Sequence, residues 1–229
     1  MVDEGARIRD GLELVIIRHG QTPGNRERRY VGALDQPLSD EGRKQAQEKI
    51  AAYAALLPDV ERVYVTTLRR THETASILFP GVQQIVVEGI QEMDFGQFAG
   101  RTADEMADDA AYREWVEGYC EGPCPGGEAK PEFTDRVCDS LSRMLRGAWA
   151  RGERRVVLVA HGGTMMASLS RFSADEQRSY YEWNTGNCEG YRIDVRFSDC
   201  DEARLEAGSR VNCDGNGMSF FNVRDLFAL

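Results

Sequence analysis

Long apolar runs are missing from this chain. No stretch approaches the roughly 18 apolar residues that a bilayer-spanning helix needs, which argues against a helical membrane span. A basic excess is missing as well: 28 Lys and Arg stand against 38 Asp and Glu, a formal net charge of −10. Nucleic-acid and anionic-membrane surfaces reward basic patches, so neither is an expected partner. A small anionic ligand stays compatible, because a pocket can be locally positive in an acidic protein. The N-terminal MVDEGARIRDG lacks a basic start followed by an apolar stretch, so no signal peptide is read there and the expected location is cytoplasmic. Zinc-type spacing is absent too. The six cysteines (Cys120, Cys124, Cys138, Cys188, Cys200 and Cys213) form no CxxC pair, and no histidine lies near Cys120 and Cys124. In a cytoplasmic chain they are expected to be reduced and structural or incidental. There is no internal repeat and no low-complexity tract.

What is present is 41% hydrophobic residues in 229, enough for one domain with a sizeable core. LELVII at 12–17 is short, β-branched and bounded by polar residues, which predicts a buried strand. Residues 39–57 predict a helix, with Ser39 as N-cap, Asp40 and Glu41 at the positive end of the dipole, and Pro58 as the stop. ERVYVT at 61–66 reads as a strand, LRRTHETASIL as a helix and QQIVVE as a strand. A long polar segment, 93–131, follows. Within it Thr102 and Glu105 make a capping-box pair that predicts a helix start. Tyr112, Trp115 and Tyr119 fall on one helical face that packs on the body, and GPCPGGE at 122–128 is a loop. A helix over 132–150, the strand of RRVVLVAHGG, the helix TMMASLSRF and an edge or near-edge strand in CEGYRIDVRF complete the pattern. Alternating strands and helices predict an α/β fold, a three-layer α/β/α sandwich with a mostly parallel central sheet. The tail 198–229 is polar in SDCDEARLEAGSR and carries an apolar stripe in MSFFNVRDLFAL, which docks on the domain or on a partner.

In open α/β sheets ligands bind beyond the carboxyl ends of the strands. This sequence places Arg18 and His19 after the first strand, Arg69 and Arg70 after the second, Glu88 and Glu92 after the third, and His161 after the fourth. Two of only three histidines therefore stand at strand ends, each before a glycine. Those types fit one job. Arginine presents a planar fork to phosphate oxygens, and a helix N-terminus adds N–H donors. A neutral imidazole held at one nitrogen is a nucleophile at the other, and a carboxylic acid protonates an alkoxide leaving group. Two arginines and a second histidine neutralise the transferring charge, so no metal is demanded. From charge alone, Arg69 and Arg70 are not distinguished.

RHGQTPGN at 18–25 resembles the signature of the histidine phosphatase superfamily, the phosphoglycerate-mutase-like clan. GALDQPLSDEGRKQA, TTLRRTHETA, IQEMDFGQFAG, PGGE and LVAHGGTM follow in the family's order, so the resemblance covers about residues 12–195. It implies a phosphoglycerate-mutase-like fold for a core of about 12–197, with 93–131 covering the pocket and 198–229 as an extension. It implies that His19 is the nucleophile, that Arg18 and Arg70 clamp the phosphoryl group, and that Asn25 hydrogen-bonds it, with Thr22 as a weaker candidate. Glu92 is implied as acid and then base, and His161, helped by the Gly162 N–H, as the stabiliser of the transition state. The spacing to ETA at 73–75 selects Arg70, leaving Arg69 as a solvated helix arginine, His72 as a surface or packing histidine and Glu88 as a solvated acid.

The chain departs from the family's pattern in two places. Gln97, Phe98 and Ala99 stand where many relatives have a tryptophan and an acid, and Val31 stands where some broad phosphatases have a polar residue. The EMDFG and PGGE blocks look more like the α-ribazole phosphatase and broad-specificity branches. The expected activity is a metal- and cofactor-free phosphomonoester hydrolase for a small phosphorylated metabolite, such as α-ribazole phosphate or a sugar phosphate. Two alternatives stay open, mutase-type phosphoryl transfer and a non-catalytic phospholigand-binding module; a homodimer stays open as well. The acidic MDFGQFAGRTADEMADD after Glu92 disfavours a phosphoglycerate mutase, whose relatives carry basic residues there for the substrate carboxylate.

Overall fold

The computed structural model describes residues 11–175, 177–197 and 218–226. The N-terminal MVDEGARIRD, Cys200, Cys213 and the polar stretch 198–217 lie outside the described residues. Strand β1 (Gly11–Arg18) runs into the short helix α1 (Pro23–Arg26) and then α2 (Asp40–Leu56), followed by β2 (Arg62–Val65), α3 (Arg69–Leu78) and β3 (Gln83–Val86). Helix α4 (Ala110–Glu117) lies within the long segment that leads to α5 (Lys130–Ala150), β4 (Arg155–Ala160), α6 (Gly162–Phe172), β5 (Gly190–Phe197) and β6 (Met218–Asp225).

The strands form one sheet in the order β3-β2-β4-β1-β5-β6. The first four are parallel, β5 pairs antiparallel to β1, and β6 pairs antiparallel to β5. Continuous apolar runs suit the inner strands because helices cover both faces. From β1, Leu12, Leu14 and Ile16 meet Leu141 and Leu145 of α5 and Met165 and Leu169 of α6. Val15 and Ile17 point the other way, to Tyr53 of α2 and to Ala75 and Leu78 of α3. β4 repeats the division, with Leu158 on one face and Val159 on the other. This is the three-layer α/β/α arrangement.

Local chemistry sets the helix ends. The Ser39 hydroxyl accepts from Gly42 N–H at 3.0 Å, as an N-cap does. Helix α3 has no cap from its own preceding side chain; Asp35, from the loop after α1, accepts from Arg69 N–H at 2.7 Å instead.

The long segment differs from its sequence reading in two respects. Thr102 and Glu105 do exchange reciprocal bonds of 3.1 Å, but they close a single 3-10 turn, Asp104–Met106. Met106 is fully buried and ties that turn down. The helix starts later, at Ala110, where the Asp109 carboxylate meets the N–H groups of Ala111 and Tyr112. Tyr112 and Trp115 pack inward as expected, whereas Tyr119 is 83% exposed. It lies past the helix end, where Tyr119 and Cys120 adopt φ of 58° and 59° and turn the chain away. The apolar stripe of the tail docks on the domain itself. Met218 and Phe220 are buried in β6, which leaves β5 one strand in from the edge. Burial pushes the Cys124 thiol up to about 11 and that of Cys188 to about 12, as for inert packing cysteines. No helix among the described residues is long and apolar enough to cross a membrane.

Candidate active site

β1 and β4 are neighbours, paired so that Arg18 stands opposite Ala160. The chain leaves β1 toward β2 and leaves β4 toward β5, in opposite directions, which opens a crevice at the carboxyl ends of this pair. The residues next in sequence, His19 and His161, meet there with ring centroids 5.2 Å apart. The His19 N–H bonds the Ala160 carbonyl at 3.0 Å and extends the pairing by one residue.

The Arg70 guanidinium, from the first turn of α3, lies against both imidazoles and is 1% exposed. Its Nε–H reaches His19 Nε2 and His161 Nδ1, each at 3.2 Å. Its Nη1 and Nη2 donate to the carbonyls of Leu34 and Gly32 at 2.8 and 2.7 Å. Gly32 has φ +52°, and a Cβ there would stand 2.4 Å from the Met93 carbonyl, so this acceptor needs glycine. Burial pulls the Arg70 guanidinium down to about 10, opposed by the charges of Glu92 and Asp35.

These contacts fix the tautomers. His19 Nδ1 stands 2.7 Å from the Gly20 carbonyl, which only accepts, so Nδ1 carries the proton and Nε2 offers its lone pair. His161 has the opposite form. Its Nδ1 accepts from Arg70, and its Nε2 donates to Thr66 Oγ1 at 2.9 Å. Thr66 Oγ1 meets Thr71 Oγ1 at 3.2 Å, and Thr71 donates to the Leu68 carbonyl at 2.8 Å. Burial and the neighbouring Arg70 hold both histidines well below the usual imidazole range, so both are neutral at pH 7.

Arg18, half-buried, donates through Nη1 to Asn184 Oδ1 and the Thr185 carbonyl. Its Nε is buried with no partner, a charged donor left over for an anion. Glu92 follows β3 and is held from two sides, with Oε1 accepting from Met93 N–H at 3.0 Å and Oε2 from Gly163 N–H at 2.9 Å. A Cβ on Gly163 would fall 2.0 Å from Oε1, so no other residue lets the carboxylate sit on this helix end. Gly162, the first residue of α6, lies beside Arg18; a Cβ there would be 3.5 Å from the Arg18 guanidinium carbon.

Asn25 and Thr22 form a capping box around α1. Thr22 Oγ1 accepts from Asn25 N–H at 3.2 Å, and Asn25 Oδ1 accepts from Thr22 N–H at 3.1 Å. Asn25 Nδ2 carries the amide's donors, since its Oδ1 is used in the cap. Thr22 is buried, its oxygen accepts within the cap, and its hydroxyl proton is left to donate. Arg69 turns outward to Glu73 at 2.6 Å, and His72 pairs with Gln84 at 2.9 Å. Glu88 is exposed on the surface. Sequence reasoning missed Gly163, Thr66, Asn184 and Asn187, the last of which donates to the His19 carbonyl at 2.8 Å. The doubled glycine of HGG was a signal for Gly163. The asparagines carry none, since their partners lie more than 160 residues away.

Beyond Glu92 a cavity of about 240 Å3 opens, lined by Glu92 and Gly163 on one side and by aromatic residues of 93–131 and Tyr180 on the other. Phe98 is buried there against Tyr112 and Trp115, filling the apolar place that its position predicts.

Comparison with known proteins gives the family and the fold. The family model described as "Histidine phosphatase superfamily (branch 1)" matches residues 14–206. A probable phosphoglycerate mutase GpmB of Enterobacter sp. (strain 638) is 31% identical over 194 residues, covering 82% of this chain and 86% of its own. Among solved structures, a putative α-ribazole-5'-P phosphatase of Escherichia coli superposes with a TM-score of 0.69 at 23% identity, over 81% of this chain and 91% of that one. A mycobacterial glucosyl-3-phosphoglycerate phosphatase with bound VO3 also gives 0.69, at 24% identity, over 92% and 96%. These two likenesses show the fold.

Proposed function

The chain belongs to the histidine phosphatase superfamily, and from that premise we propose that it is a phosphomonoester hydrolase working through a phosphohistidine on His19. The observation that carries the reading is the pair of neutral imidazoles of opposite tautomer sharing one arginine N–H, with His19 Nε2 unprotonated.

A phosphoryl group entering the crevice takes up the Nε–H of Arg18, the guanidinium of Arg70, Asn25 Nδ2 and the Gly162 N–H. A monoanionic ester passes its proton to His161, which then donates from Nδ1 and returns that proton to the departing phosphate. His19 Nε2 attacks phosphorus and the bond to the leaving oxygen breaks. Glu92, as general acid, gives a proton to that oxygen. Glu92 then takes a proton from water, which attacks the phosphohistidine; the P–N bond breaks and phosphate leaves. Two arginines and the charged His161 stabilise the transferring group, so the step demands no metal. Gly163, Thr66 and Asn187 position Glu92, His161 and His19.

The substrate class is a small phosphorylated metabolite, with α-ribazole phosphate and a sugar phosphate as the two candidates between which the space beyond Glu92 chooses, and the expected location is cytoplasmic. Mutase-type transfer, suggested by the names of some relatives, is disfavoured by the acidic run after Glu92, where a substrate carboxylate would need cations. The test is nitrophenyl phosphate hydrolysis by wild type and His19→Ala in excess EDTA, with alkaline denaturation to trap phosphohistidine. Turnover and trapped phosphohistidine in wild type alone support the reading; turnover by His19→Ala, or activity lost to EDTA, overturns it.

A further inference from the structure

The cavity beyond Glu92 is unusual for a site that handles a charged ester. A leaving group that takes its proton from Glu92 must carry its carbon skeleton on Glu92's side, and Glu92 and Gly163 both line this cavity. The rest of its lining is mostly aromatic or apolar, with Tyr30, Phe95, Trp115, Phe133, Met166 and Tyr180 among it. Much of the polar equipment of these walls is already spent. The Tyr30 hydroxyl is bonded to that of Tyr112 at 2.9 Å, and Trp115 Nε1 donates to the Gly122 carbonyl at 3.0 Å. The only basic residue on the walls, Lys130, is paired with Glu121 at 2.6 Å and rests 4.3 Å over the Tyr180 ring. Tyr30 stands edge-to-face with Phe95 at 5.1 Å and with Trp115 at 5.8 Å, so ring carbon faces this space.

Resting on the hydrolase reading above, we infer that the leaving group of the substrate is a flat aromatic alcohol, with its ring system in this cavity, rather than a polyol or a hydroxy acid. A sugar would lose hydration and find few partners here, and a carboxylate would have to take Lys130 from Glu121. Size agrees. A dry apolar cavity of roughly 150 Å3 holds one benzene ring, so about 240 Å3 has room for a fused bicycle.

The test holds leaving-group acidity constant by using primary alkyl monoesters throughout. Naphthylethyl phosphate is compared with ethyl phosphate and glycerol 3-phosphate. Apolar pockets discriminate by roughly 10- to 200-fold per methylene, so kcat/KM for the naphthylethyl ester is expected to be at least about 10²-fold higher. Equal values, or a preference for glycerol 3-phosphate, overturn the inference and leave the hydrolase reading standing. Trp115→Ala should shrink the preference about 10-fold; if that variant does not fold, Met166→Ala, on α6, should shrink it by a smaller factor. A preference that survives a folded variant of both overturns the assignment. Binding of naphthylethylphosphonate against ethylphosphonate separates the two readings. A ratio of 10-fold or more supports the cavity assignment even if no ester turns over, and a ratio near one overturns it.

Discussion

The groups at the strand ends and the segment above them are held in different ways. His19 is fixed through its ring by Gly20, through its N–H by Ala160 and through its carbonyl by Asn187, from three different parts of the chain. Arg70 is fixed by carbonyls of the loop after α1. Residues 93–131 are held in large part by packing: Phe98, Tyr112 and Trp115 stack as a cluster that Tyr30 joins, Arg29 bonds Gly100 and Glu105 along one edge, and the loop after α4 turns through two residues in the left-handed region. On the proposed reading, the groups that meet a phosphorus atom are the ones locked by long-range bonds. Groups that choose an alcohol are packed by shape, which tolerates exchange. Chemistry and selectivity should therefore separate under mutation.

The strongest break is His19→Ala, which removes the covalent route and should abolish turnover of every ester; residual activity in a clean preparation would sink the nucleophile assignment. Glu92→Gln should lower the rate on alkyl phosphates by roughly 10² to 10⁴, the range of a general acid. With nitrophenyl phosphate the loss should be smaller, because that leaving group needs less protonation, and equal losses on both would argue against the acid role. Arg70→Ala should cost at least about 10²-fold, on the scale of one oxyanion donor, while Arg69→Ala should leave the rate near wild type; reversed results would move the clamp to Arg69. At the other end, Asp109→Ala removes the cap of α4 and should lower stability by about 1 kcal/mol while changing kcat for ethyl phosphate little, as urea melts and steady-state rates would report.

The contrast also has a pH signature. His19 and His161 are held below the ordinary imidazole range, so below about pH 6.5 the unfolded chain binds protons that the folded chain refuses. Stability should be full above that pH and fall on acidification, by up to about 1.4 kcal/mol per pH unit for each histidine. Urea unfolding at pH 7.5 and 5.5 measures this. A double replacement by glutamine should flatten the dependence, and an unchanged slope would show that the histidines are not its source.

The strand-end chemistry was legible because it is local. LVIIRHG and VVLVAHGG each carry a buried strand and the candidate residues at its end in one short stretch, and Ser39 announces its helix. The support was not legible, because it is made across the fold. Nothing near Asn184 or Asn187 marks them as partners of Arg18 and His19, and nothing near Thr66 says that a histidine 95 residues later will rest on it. The aromatic segment misled for the opposite reason. Thr102 and Glu105 satisfied the local rule for a helix start, and buried Met106 stopped the helix after one turn.

The pairing of β1 with β4 also bears on how this gene can change length. Successive side chains in a strand point to opposite faces and lie about 3.3 Å apart. One codon gained or lost inside either strand would turn His19 or His161 to the wrong side of the sheet and slide it past its partner. Length changes should be tolerated least in both strands and more readily around 118–121, largely exposed where the chain leaves α4. A lineage would then acquire a new alcohol preference through insertions in that stretch, while the two histidines keep their frame.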